Sequence, residues 1–392
     1  MEIQSTIHFD DTEVAFSYKS DRQLKKANFI FSLVNNPFMS SAATGLVKVG
    51  LALHLPIKGM IKNTVFEHFC GGETIAQSQQ TIDTLNRYHV GTILDFSAEG
   101  AKTEAGFDKT MEEILKTMDR AKGNPAIPFT VFKSTGLVDI DLVTKVQAKE
   151  TLSPAETEAF SHFHSRVEKI CTRAHDYGVP VMVDAEDSWI QNVIDAIVYE
   201  MMKKFNTKQP IVFNTYQMYR KDMLDNLRNA FHDAAMHNYY LGVKMVRGAY
   251  MEKEAERADK MDYENPIHPN KAATDDSYNK GLAFCIDNKQ RISIMSGSHN
   301  EYSNQYLALL MEKHSMKNND NRVWFAQLFG MSDNISFNLA KAGYNVAKYV
   351  PYGPVELVMP YLIRRAEENT SVAGQSSREL TMIRKELKRR KG

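Results

Sequence analysis

Eight short apolar runs recur along this chain, each followed by a polar stretch with helical periodicity. They read GTILDF (91–96), FTVFKS (129–134), PVMVDA (180–185), IVFNTY (211–216), GVKMVR (242–247), RISIMS (291–296), VWFAQL (323–328) and YNVAKYV (344–350). Strands that alternate with helices pair in parallel, because each helix carries the chain back to the start of the next strand. Eight such units predict an α/β fold, a (β/α)8 barrel over residues 91–370. A doubly wound open sheet is the alternative with the same alternation. The interval 135–179 has room for additional helices. Asp95, Lys133, Asp184, Asn214, Arg247, His299 and Tyr349 fall at or just after the predicted C-terminal ends of strands. In a barrel those ends share one face, where active sites are built. Each residue taken alone also reads as a cap or a solvated loop group.

The rest of the chain frames the barrel. Residues 1–90 read as a helical arm. Asp21 is placed to cap RQLKKANFIFSLV, a second helical run covers Ser40 to Leu55, and a third covers Thr74 to Tyr88. Lys+Arg and Asp+Glu both number 48, so bulk charge gives no attraction to nucleic acid. Cys70, Cys171 and Cys285 are odd in number and far apart. They suit a reducing, cytoplasmic setting and form neither a disulfide framework nor a zinc pattern. The first residues carry no signal-peptide core, and no apolar run reaches the roughly 18 residues of a membrane span. The C-terminal segment, 371–392, is basic, with a thin apolar face of Leu380, Ile383 and Leu387. It reads first as a solvated tail and second as a helix lying on a membrane surface. There is no GxGxxG, Walker or HExxH motif. His162 and His164 stand two apart in a helical region, on different faces, so no metal site is expected there.

The last apolar run leads into YVPYGPVELVMPYLIRRAEEN (349–369). Pro351 and Gly353 break the strand, and a helix starts near Pro354. Val355, Val358, Met359 and Leu362 form its apolar stripe, with Pro360 expected to kink or restart it. Tyr361 and Arg364 are three apart, and Arg364 and Glu368 four apart, so both pairs are neighbours on the helix surface. Arg364 and Arg365 together offer permanent positive charge suited to a carboxylate or phosphate. Alone, this stretch reads first as a solvated helix face with a Glu–Arg pair.

Four segments in order give the stretch its sense: VFNTYQMY (212–219), VKMVRGAY (243–250), QLFGM (327–331) and KYVPYGP (348–354) with the helix after it. In this order, and with residues 90–370 around them, they resemble the proline dehydrogenase family, in the wording of its eukaryotic-type monofunctional members. The resemblance implies a distorted (β/α)8 barrel holding FAD non-covalently over the strand ends. On the flavin side it implies Asp184, Ala185, Asn214, Gln217, Arg247, Gly248, Ala249, Thr274, Ser298, His299 and Glu368. On the substrate side it implies Arg364 and Arg365 as a carboxylate clamp, with Lys133 steadied by Asp95, Lys244 in the site, and Tyr250, Leu328, Tyr349 and Tyr361 as walls. Position 244 is Lys where many bacterial members carry Arg, which keeps the charge and loses the planar fork.

The implied reaction takes a hydride from L-proline to flavin N5 and leaves Δ1-pyrroline-5-carboxylate. A membrane quinone is the implied acceptor, with the chain peripheral on the inner face of a membrane. Three rivals stand beside this reading. Hydroxyproline is the nearest other substrate, opposed by the bulk of Tyr349. A flavin-free barrel would use Lys133 as a Schiff-base nucleophile. A binding protein would keep the clamp without turnover.

Overall fold

Each of the eight apolar runs forms a strand. They are β1 (Val90–Phe96), β2 (Thr130–Lys133), β3 (Val181–Asp184), β4 (Val212–Gln217), β5 (Leu241–Val246), β6 (Ile292–Gly297), β7 (Val323–Leu328) and β8 (Val346–Tyr352). The structure, a computed structural model, describes residues 7–34, 58–97, 101–371 and 375–391. All eight strands join one parallel sheet in the order β1-β8-β7-β6-β5-β4-β3-β2, a nearly closed (β/α)8 barrel. Among the described residues no helix is long and apolar enough to cross a membrane. The chain divides into two compact units, Gly100–Ala326 and Thr6–Glu99 with Gln327–Gly392.

The first unit holds β2 to β6. Its strands bury both faces, as expected when helices cover one side and side chains fill the other. β4 shows the alternation. Phe213 meets Phe129, which meets Trp324, at ring distances of 5.4 Å in both cases. Asn214 and Tyr216 turn the other way, onto Asp195 and Tyr199 of the Ser188–Phe205 helix. The long interval after β2 holds two helices, Ile140–Gln147 and Pro154–Tyr177. The second begins with a Ser153–Glu156 capping box and ends at Gly178 with φ +65°. His162 and His164 meet different carboxylates, Glu104 and Glu200, in keeping with their opposite faces.

The second unit holds β1 and β8, paired over seven residues from Val90↔Val346 to Phe96↔Tyr352. β8 runs two residues past its predicted end. Pro351 does not break it, and its carbonyl accepts from Gly71 N–H at 2.8 Å. Tyr349 therefore lies inside the strand, three residues before its end. Pro360 likewise sits within one continuous helix, Val355–Ser371, with no fresh start. In the N-terminal segment the helix Asp21–Val34 is capped by Ser20 rather than Asp21. Gln23 N–H donates to Ser20 Oγ at 3.3 Å, and Ser20 N–H to Gln23 Oε1 at 2.9 Å. The third predicted helix is shorter, Gln79–Asn86. The run predicted from Ser40 to Leu55 lies outside the described residues.

The C-terminal segment is a correction. It is a helix, Gln375–Arg389, but not a solvated tail. Leu380, Met382 and Ile383 are buried in a cluster with Leu24, Ile30, Phe31 and Tyr361. Its basic residues are pinned as well. Arg390 donates to Phe16 O, Lys19 O and Asp21, and Arg378 to Asp10. The apolar face that suggested a membrane surface is thus spent on the fold.

Candidate active site

At the strand ends of the first unit, Lys133 and Asp184 are the last residues of β2 and β3. Lys244 reaches from β5 past β4 to Asp184, with Nζ 2.5 Å from Oδ1. Gln217, the last residue of β4, is buried, and its Nε2 donates to Glu186 O at 2.7 Å. Just after β5, Arg247 has its guanidinium fixed on three sides. It donates to Asp275 at 2.7 Å, Ser298 Oγ at 2.7 Å and Ser303 Oγ at 2.9 Å. It also lies 4.4 Å from the centre of the Tyr278 ring. Gly248 follows at φ +126°, and a Cβ there would stand 2.5 Å from the Tyr219 ring. Only glycine suits such a position. Ala249 is exposed, and Tyr250 caps the Met251–Lys260 helix. Thr274 is buried beside Asp275 in sequence, Ser298 is buried after β6, and His299 is half-buried.

Asn214 lies inside β4, not at its end, and its amide is committed elsewhere. Nδ2 donates to Asp195 at 2.8 Å and Oδ1 accepts from Thr215 N–H. Strand alternation sends it to the helix layer.

Glu186 was not singled out from the sequence. It is buried, and its carboxylate accepts from the N–H of Thr135 at 2.9 Å and from the Thr135 hydroxyl. Its own N–H donates to Gln191 Oε1 at 2.7 Å. The residue thus ties the turn after β2, the loop after β3 and the end of β4. Burial raises its pKa to about 7, against the Thr135 bonds and the charge of Lys133, which lower it. The only hint in the sequence is a second acid after VDA, which does not show that it is buried.

In the second unit, the helix Val355–Ser371 carries the arginine pair. Arg365 is 6% exposed, and its guanidinium lies 5.0 Å from the centre of the Tyr361 ring. Tyr361 is itself buried in the apolar cluster. That contact joins residues four apart, 361 and 365, neighbours on the helix surface as 361 and 364 also are. Arg364 is half-buried. The side chain of Glu368 lies outside the described part of the helix. Tyr349 is buried, and its carbonyl accepts from Phe329 N–H at 2.8 Å. Leu328 ends β7 and is partly buried against the apolar cluster. Asp95, one residue before the end of β1, accepts from Ser97 Oγ at 2.8 Å.

A family model described as Proline dehydrogenase matches residues 78–378. "Proline dehydrogenase 1, mitochondrial" of Dictyostelium discoideum is 33% identical over 426 residues, covering 97% of this chain and 74% of that one. "Carbapenem antibiotics biosynthesis protein CarD" of Pectobacterium carotovorum subsp. carotovorum is 34% identical over 333 residues, covering 85% and 86%. Among solved structures, proline utilization A from Bdellovibrio bacteriovorus superposes with TM-score 0.72 at 20% identity. That match covers 92% of this chain and 38% of the other, and it supports the barrel fold. By the extent of the family match and these identities, the chain belongs to the proline dehydrogenase family, enzymes that oxidise proline in the first step of its catabolism.

Proposed function

We propose that this chain oxidises L-proline to Δ1-pyrroline-5-carboxylate with non-covalently bound FAD. The observation that carries the substrate side is the pair Arg364 and Arg365, with Arg365 desolvated over Tyr361. A guanidinium so withdrawn from water favours an anionic group beside it, and its planar fork matches a carboxylate. Tyr361, Tyr349 and Leu328 would wall the pyrrolidine ring.

The residues present fit FAD. Gln217, Arg247, Ser298 and His299 make a set rich in N–H and O–H donors, which suits a flavin ring and a pyrophosphate that chiefly accept. Arg247 is pre-set by three acceptors, so it would bind without reorganising. Asp184, Ala185, Gly248, Ala249 and Thr274 would complete that side. FAD supplies the two-electron oxidation when bound. This chain's residues bind proline by its carboxylate, orient the ring and exclude water around it.

The acceptor that follows is a quinone or a carrier of similar class, met by peripheral contact with a membrane. Titrating proline against wild type, Arg364→Ala and Arg365→Ala tests the clamp. Each variant should weaken binding by about 2–4 kcal/mol, as for one partner of a charge pair. Unchanged affinity in both would remove the pair from the site.

A further inference from the structure

Lys348 stands on β8 next to Tyr349. Consecutive strand residues leave on opposite faces, so the two side chains point apart. The Lys348 side chain is fully buried and gathers the turn that follows β7. Nζ donates to Met331 O at 2.5 Å and to Leu328 O at 3.4 Å, and lies 3.0 Å from Asp333 Oδ1. The other Asp333 oxygen takes Lys19 Nζ at 2.5 Å and Tyr18 OH at 2.8 Å.

The turn is not one the chain adopts by default. Ser332 sits at φ +51°, a left-handed conformation uncommon for serine, and Gly330 sits at φ +80°. The Ser332 N–H donates to Glu379 Oε2 at 2.9 Å, and Glu379 is a buried residue of the C-terminal helix Gln375–Arg389. His68 Nε2 lies 3.0 Å from Gly330 O. Phe329 N–H, in the same turn, holds the carbonyl of Tyr349. The turn is therefore held from β8 by Lys348 and from the C-terminal helix by Glu379. Withdrawing two lysines and two carboxylates from water opposes folding, and apolar side chains would fill the space at lower cost. What the charges add is a fixed geometry for Leu328 and Tyr349.

We propose that Lys348 and Glu379 are positioning residues for the proline pocket, and that the C-terminal helix is thereby a working part of the substrate site. The proposal rests on the assignment of Leu328 and Tyr349 as walls of that pocket.

The test is steady-state kinetics with proline on the full chain, for wild type, Glu379→Ala, Glu379→Gln and Lys348→Met, with thermal unfolding of each. Glu379→Ala and Lys348→Met should raise KM for proline about tenfold while kcat stays within about twofold. Glu379→Gln keeps an oxygen for the Ser332 N–H and should restore most of the wild-type KM. If Lys348→Met does not fold, the two Glu379 variants decide. An unchanged KM with a lowered unfolding temperature would overturn the proposal, since that is what structural support alone produces. So would a fall in kcat alone. A wild-type chain that does not oxidise proline would overturn the functional reading and this inference with it. Wild-type turnover with KM unmoved in the Glu379 variants would overturn this inference only.

Discussion

Lys244 Nζ lies 2.5 Å from Asp184 Oδ1, a pair that joins β5 to β3 across the end of β4. The two side chains are 9% and 13% exposed. Removing one partner takes a close opposite charge from the other in a buried setting, which costs up to about 3–5 kcal/mol. Lys244→Met should lower unfolding stability by that order in urea titrations. Lys244→Met combined with Asp184→Asn should recover part of the loss. A Lys244→Met chain within about 1 kcal/mol of wild type would show that water already screens the pair.

Arg247 serves Asp275, Ser298 and Ser303 at once. A lysine brings one ammonium on a flexible stem and cannot keep that fork. Arg247→Lys should therefore bind FAD about tenfold more weakly. Flavin absorbance per chain after dialysis measures this. Full retention would place Arg247 outside the cofactor site.

Glu186 should set a pH dependence of stability. Burial raises its pKa in the folded chain from 4.5 to about 7. The folded state then holds the proton more tightly than the unfolded state. Its contribution is fully present below about pH 4.5 and is lost as pH rises through about 7. Glu186→Gln removes the titration. The unfolding temperature of wild type should fall more than that of the variant between about pH 5 and about pH 8. Parallel profiles would mean that Glu186 ionises freely.

Much of the fold is legible in the sequence because it is local. Eight apolar runs with polar helical spacers carry their own periodicity, and the strands fall within two residues of them. That β8 continues through Pro351 is hidden because a proline's cost in a strand depends on its spatial neighbours, here including Gly71 far off in the chain. The face of β4 that Asn214 takes is hidden too, because its partner Asp195 lies on the Ser188–Phe205 helix. The stripe of Leu380, Ile383 and Leu387 looks the same whether it meets water, lipid or protein. Its true partners, on the Asp21–Val34 helix, lie more than three hundred residues away. The same distance hides the contact of Lys19 with Asp333, which are 314 positions apart. Buried charge leaves no local pattern, so Glu186, Lys348 and Glu379 appear only once the chain is folded.

The central claim is that this chain takes electrons from proline onto a flavin. An anaerobic absorbance spectrum of the purified protein, before and after L-proline is added, tests it most directly. The account predicts an oxidised-flavin spectrum that bleaches with proline. A flavin that stays oxidised, or a colourless chain that takes up no FAD, would contradict it.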